Sequence, residues 1–258
     1  MTTITSTPST SLRDRQHPTI ATLARRIEYA WSTYLDLEPY EMPDDLGYVE
    51  GVLEGEKLII ANQCYQTRTF RKLHLELAQI GKSLDILHCV MFPRPEFDLP
   101  IFGADLVAGR GQLAMAIADL SPVQANQQLP TTYKEQLDAL PRFDFRTKRH
   151  FPEWADIFSE FCLFVRPEGD QEEEAFVNTV ENYLAFHCQE AQQARAVTKE
   201  RRAKIMQAHQ HYCAQQLRND KTRRVLEKAF GDAWAERYMT TVLFDVPLGI
   251  PVGTGNTA

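Results

Sequence analysis

His74, Glu76, His88 and Asp105 have the types and spacing to handle protons. His74 and Glu76 are two residues apart, as are Ile86 and His88. In a β-strand, residues i and i+2 share a face, so each pair stands on one side of its strand. Asp105 lies further on, between Gly103 and Val107, among small and apolar residues. A carboxyl and an imidazole brought together share protons and titrate as a unit, and such a unit delivers protons near neutral pH. A partly desolvated Asp105 could protonate a bound base. The competing reading is an ion pair on the wet face of a sheet. The apolar neighbours Ile86, Val90, Phe102 and Val107 argue for a drier setting.

Whether these residues meet depends on a turn. If strands over 69–80 and 84–92 join across Gly81-Lys82-Ser83, paired residue numbers sum to 164. Glu76 then faces His88, and His74 faces Val90. A two-residue loop would give an odd sum and send the pair to opposite faces. Around this hairpin, apolar periodicity predicts a helix over 19–37 and further strands over 48–53, 57–65, 99–108, 112–120 and 157–165. A hairpin turn is expected at Gly109-Arg110-Gly111, and a helical segment over 122–140. Helices follow over 172–188, 198–217 and 220–241, the last interrupted by Gly231. Helix, meander of about seven strands, then helices is the order of an α+β domain. The helical C-terminal half is long enough to cover the polar face and close a pocket. Residues 1–16 read as a disordered polar leader, 17–246 as a single domain and 247–258 as a flexible tail.

Composition narrows the class. The chain has 258 residues, 43% hydrophobic and 24% charged, with a net charge of −7. That balance weighs against general nucleic-acid binding, which needs a basic footprint. No apolar run has the length of a membrane span, and the Thr- and Ser-rich start lacks the pattern of a secretory signal. The five cysteines are odd in number and widely spaced, so neither an iron–sulfur cluster nor a zinc site is written locally. They read as free thiols in a reducing cytoplasm. Gly109-Arg110-Gly111 lacks the third glycine of a dinucleotide fingerprint. Nothing looks built to bind NAD, flavin, ATP or a metal. Basic residues gather at 146–150 (Arg146, Lys148, Arg149, His150), at 201–204 and at 221–224. Each cluster is either a solvated face or a place to capture carboxylates or an acidic protein.

At these residues the sequence resembles the ferredoxin-dependent bilin reductases. The stretches that carry the likeness are LHLELAQIGKSLDILHCVMFPRP (73–95), LPIFGADLVAG (99–109), AIADLSPVQANQQLP (116–130), IFSEFCLFVRP (157–167) and NDKTRRVLEKAFGDAWAERYMTTVLFDV (219–246). The resemblance implies a three-layer α/β/α sandwich with a central antiparallel sheet, and a substrate, biliverdin IXα, between the sheet and the C-terminal helices. It implies no bound cofactor, electrons delivered one at a time by external ferredoxin through bilin radicals, and a cytoplasmic monomer. It further implies a four-electron reduction to phycocyanobilin, the D-ring exovinyl group first and the A-ring next. By the same resemblance Glu76 is the acid beside the D-ring vinyl, with His88 its partner near the D-ring carbonyl. Asp105 is the central carboxylate beneath the pyrrole nitrogens, and His74 a histidine linked to His88 through water. Asn219 and Lys221 become pocket residues, Arg149 a propionate partner, and Ile86 and Val225 apolar walls. Two readings of other kinds stand beside this one: a bilin carrier or sensor without turnover, and a sibling reductase of different regiochemistry. Ferredoxin docking on a basic patch is expected of the three clusters.

Overall fold

Alternation along the central strands sorts the chain into three layers. The computed structural model describes residues 11–124, 126–152 and 155–246. Chain order begins with α1 (Leu12–Arg15), α2 (Pro18–Tyr34), β1 (Glu38–Pro39) and α3 (Asp44–Gly47). The sheet follows with β2 (Tyr48–Leu53), β3 (Glu56–Gln66), β4 (Phe70–Ile80), β5 (Leu84–Pro93), β6 (Ile101–Gly109) and β7 (Gln112–Ser121). Then come α4 (Thr131–Ala139), β8 (Leu163–Val165), α5 (Asp170–Gln193), α6 (Lys199–Gln216), α7 (Asp220–Phe230), α8 (Asp232–Tyr238) and a π-helical turn, Met239–Leu243. The strands form one antiparallel sheet in the order β1-β3-β4-β5-β6-β7-β8, with β2 paired to the first half of β3.

Leu73, Leu75 and Leu77 of β4 and Leu87, Cys89 and Met91 of β5 face one way. They pack on Ile20, Leu23, Ile27 and Trp31 of α2 and on Phe176, Val180 and Leu184 of α5. Ala78, Ile80, Val90 and Phe92 face the other way, toward Ile205 and Tyr212 of α6, Leu226 of α7 and Tyr238 of α8. Burying each large aliphatic side chain contributes roughly 1.5–3 kcal/mol, so both sheet faces need a helical layer. This is the expected α/β/α sandwich.

The β4–β5 turn is the three-residue one, with Ile80 opposite Leu84, Glu76 opposite His88 and His74 opposite Val90. Gly81 sits at φ +52, where a residue without Cβ carries no steric penalty. In the β6–β7 turn, Gly109 pairs with Gln112. Arg110 and Gly111 both have positive φ, +53 and +75, the pattern of a type I′ hairpin.

Three expectations need correction. Residues 1–10 and 247–258 lie outside the described residues, but 11–16 is an ordered part of the expected leader. Ser11 Oγ caps α1 by accepting from Asp14 N–H, and the buried Gln16 donates to the carbonyls of Ala78 (2.8 Å) and Ile86 (3.2 Å). The strand expected over 157–165 is only Leu163–Val165. Ahead of it Ser159 gives both its N–H and its hydroxyl to Asp119, at 3.1 and 2.6 Å, which holds the segment as a loop. The helix expected over 122–140 starts only at Thr131. The interruption expected at Gly231 in the helical stretch 220–241 is present: α7 and α8 meet there, at φ +86. An eighth strand, Glu38–Pro39, adds a short edge.

Candidate active site

Antiparallel register lines up one transverse row on the face that meets the C-terminal helices. Asn62, Glu76, His88, Asp105, Ile117 and Phe164 are successive partners across β3, β4, β5, β6, β7 and β8. His74, Val90, Gly103 and Asp119 form the neighbouring row. The predicted trio Glu76, His88 and Asp105 therefore occupies three adjacent strands, each about 4.8 Å from the next.

His88 Nδ1 lies 2.5 Å from Asp105 Oδ1. Glu76 is buried, and Tyr238 Oη is 2.7 Å from its Oε2. His74 Nε2 is 2.8 Å from Asn62 Oδ1, and its ring meets that of His88 edge-on with centroids 5.7 Å apart. Phe244 closes on the other side of His88, centroids 5.8 Å apart. Phe244 is placed there by its neighbours in the chain. The fully buried Lys72 donates to Val242 O (2.6 Å) and to the Asp245 carboxylate, which Arg71 also holds.

These surroundings set the protons. Burial pushes the Glu76 carboxyl upward; the charge of His88 and the Tyr238 bond oppose it without reversing it, and Asp105 adds to the rise. Burial alone would lower His88, but the Asp105 carboxylate beside it, helped by Glu76, raises it above its ordinary value. His74 is driven well down by burial and by the nearby charges of Lys72 and His88, so it stays neutral. The site thus favours a protonated carboxyl and an imidazolium side by side. His88 Nε2 is buried and has no partner, a donor left open for a ligand oxygen.

Beside Asp105 opens a cleft of about 430 Å³. Gly103, Asp105, Met115 and Ile117 line it from the strands, Phe151, Phe158, Phe164 and Tyr212 supply aromatic walls, and Arg149, Asn219 and Lys221 supply polar groups. Of the expected site residues, Asp105, Arg149, Asn219 and Lys221 thus share this cleft. Glu76, His88 and His74 lie further along the sheet, outside its lining. Ile86 and Val225 are half-buried in the core between the sheet and the C-terminal helices, also outside the lining. Asn219 doubles as the N-cap of α7, accepting from Lys221 N–H at 3.3 Å. Arg149 donates to Ala114 O at 2.7 Å and lies over the Phe164 ring.

The basic clusters prove to be mostly self-neutralised. Arg201 pairs with Asp98, Arg202 with Glu96, Arg223 with Glu236, Arg224 with Asp220, Arg146 with Glu172 and Lys148 with Asp144. Arg149 and Lys221, both at the cleft, have no carboxylate partner among the described residues. Sequence reasoning missed Asn62, Tyr212 and Tyr238. The register that pairs Glu76 with His88 also extends to Asn62, and Tyr238 follows Trp234 at helical spacing; those were the available signals.

The cleft is walled by aromatics, edged by two cations without a carboxylate partner, and joined to a row of titratable groups, a setting suited to a flat acidic molecule. The model of the family "ferredoxin-dependent bilin reductase" matches residues 24–245, and the chain belongs to that family. It is 58% identical over 243 residues to the phycocyanobilin:ferredoxin oxidoreductase of Trichodesmium erythraeum, covering 94% of this chain and 98% of that one. It is 56% identical over 246 residues to the protein of the same name from Synechococcus elongatus, covering 95% and 99%. The fold matches the crystal structure of tomato phytochromobilin synthase in complex with biliverdin, at a TM-score of 0.72 and 18% identity, over 89% of this chain and 84% of that one. The protein is therefore a ferredoxin-dependent oxidoreductase acting on bilins. No described helix is long and apolar enough to cross a membrane.

Proposed function

We propose that the chain reduces biliverdin IXα to phycocyanobilin with four electrons from reduced ferredoxin, the D-ring exovinyl group first and the A-ring next. The observation that carries this reading is the Glu76–His88–Asp105 row on one face of three adjacent strands, at the edge of the cleft that holds Arg149 and Lys221. Each carbon–carbon double bond reduced takes up two electrons and two protons, so the whole reaction consumes four of each. Ferredoxin supplies single electrons, and the intermediates are bilin radicals. The protein's part is to supply and place the protons.

Asp105 faces the pyrrole nitrogens. A protonated bilin accepts an electron more readily, and a carboxylate beneath it stabilises the cation in a site shielded from water. His88 keeps a proton because Asp105 holds it, and its unpartnered Nε2 meets the D-ring carbonyl. Glu76, whose carboxyl burial shifts toward the protonated form, delivers to the exovinyl group. His74 supports His88 through a bridging water. Arg149 and Lys221 pair with the propionates, while Asn219, Ile86 and Val225 shape the surrounding pocket. One copy of the chain carries every residue of this site, in keeping with a monomer working in the cytoplasm.

The test is anaerobic incubation with biliverdin and reduced ferredoxin, followed by product analysis. Phycocyanobilin is expected. Stable biliverdin absorbance after the electrons are added would make the chain a carrier instead, and a different two- or four-electron product would make it a reductase of other regiochemistry.

A further inference from the structure

Tyr238 has one hydroxyl proton and two acceptors within reach. Its Oη lies 2.7 Å from Glu76 Oε2 and 2.9 Å from Asn62 Oδ1. The amide of Asn62 cannot turn to relieve this, because its Nδ2 donates to Leu46 O at 2.7 Å. Asn62 Oδ1 also lies 2.8 Å from His74 Nε2. An amide oxygen only accepts, so His74 carries its hydrogen on Nε2 and its buried Nδ1 is left without a partner. Asn62 Oδ1 then has one lone pair left for Tyr238.

Two arrangements satisfy these constraints. With Glu76 protonated, the carboxyl donates to Tyr238 and Tyr238 donates to Asn62, and all three side chains are paired. With Glu76 ionised, Tyr238 must turn its proton to the carboxylate, and Asn62 keeps only His74. The ring itself need not move. It is buried, and it stacks on Trp234 with centroids 4.9 Å apart and planes 12° apart; Trp234 in turn packs on Phe230.

We propose that Tyr238 and Asn62 are positioning residues of the reaction, a two-way hydrogen-bond relay whose hydroxyl points to Asn62 before Glu76 gives up its proton and to Glu76 afterwards. The inference rests on Glu76 being the acid beside the exovinyl group. In that step the Glu76 O–H bond breaks and a C–H bond forms on the bilin, whose matching electron comes from ferredoxin. The carboxylate left behind is the anion that Tyr238 then stabilises, and uptake of a proton from solvent resets the relay. Other charged or titratable groups also face Glu76. They are His88 from β5, Asp105 from β6 and Cys64 from β3, while His74 and Lys72 lie on the same side of its own strand, two and four residues away. None of them changes partner with the hydroxyl, so variants at Tyr238 and Asn62 isolate the relay.

The experiment is an infrared titration of the protein without bilin or ferredoxin. The carbonyl stretch of protonated Glu76 is assigned by its loss in Glu76→Gln. Tyr238→Phe removes the donor to the carboxylate, so the midpoint moves up by about one pH unit. Asn62→Leu leaves Tyr238 no acceptor except Glu76, so the midpoint moves down. In the double variant, Asn62→Leu adds nothing to Tyr238→Phe, because the hydroxyl that transmits its effect is gone. A relay is overturned by shifts in the same direction, by no shift, or by an Asn62→Leu effect that persists in the double variant and so travels through His74. If Asn62→Leu does not fold, an unchanged or lowered midpoint in Tyr238→Phe alone overturns it. Because the titration uses no substrate, its failure leaves the proposed reaction standing, and failure of the turnover assay leaves the titration readable.

Discussion

At the scale of single residues, the proposed chemistry depends on two side chains that hold their protons more tightly than usual. His88 and Glu76 are both raised above their ordinary values of 6.5 and 4.5. Both are therefore protonated on the acid side and lose their protons as pH rises through the folded values. The single-turnover rate of exovinyl reduction is expected to be highest on the acid side and to fall with rising pH; a rate that climbs through the same range contradicts the assignment. Asp105→Asn removes the charge that offsets the burial of His88, so His88 drops below its ordinary value. That variant is expected to lose at least about a hundredfold in rate, read by anaerobic stopped-flow absorbance. At the cleft, Arg149→Gln and Lys221→Ala each weaken biliverdin binding by about tenfold, as loss of a charge-assisted contact of ~1.5 kcal/mol implies. Titration of bilin absorbance measures this, and unchanged affinity in both would move the propionates elsewhere.

At the scale of elements, the site depends on a turn, a loop anchor and a clamp. The Gly81-Lys82-Ser83 turn was readable because its odd length alone puts Glu76 and His88 on one face, and the structure has that register. The loop before β8 was not readable, since it is held by Ser159 reaching Asp119, 40 residues away. The relay was hidden for the same reason: Tyr238 and Asn62 are 176 residues apart. Local periodicity carries no trace of such contacts. Asp119 allows a stability test. Burial raises it from 3.8 to about 6, against its bonds from Ser159 and Ser121. Because the folded value lies above the unfolded one, the unfolded chain releases the proton first, and this group's contribution to stability declines as pH rises from about 4 to 6. Urea unfolding of Asp119→Asn is expected to show a flatter pH dependence than wild type over that range. An identical slope would place the titration elsewhere. The clamp is the buried Lys72 with Asp245; Lys72→Met is expected to cost about 3 kcal/mol in the same assay.

At the scale of the whole molecule, the net charge of −7 does not describe the surface a partner meets. Most cations of the basic clusters are paired with carboxylates of the same chain, and two of those without such a partner, Arg149 and Lys221, stand at the cleft. An acidic electron donor attracted to this rim would bring its electrons close to the bilin. Ferredoxin binding is expected to weaken steadily from low to physiological ionic strength; affinity that stays flat would argue against docking by charge. The resemblance identified the family from stretches spanning both the hairpin and the C-terminal helices, because the sheet and its helical cover build the site together. The measurement that tests the central claim most directly is product analysis of Glu76→Gln beside wild type, each incubated anaerobically with biliverdin and excess reduced ferredoxin. Proton delivery by Glu76 predicts phycocyanobilin from wild type, and from the variant a two-electron product that keeps its D-ring vinyl group. Complete four-electron conversion by the variant would contradict it.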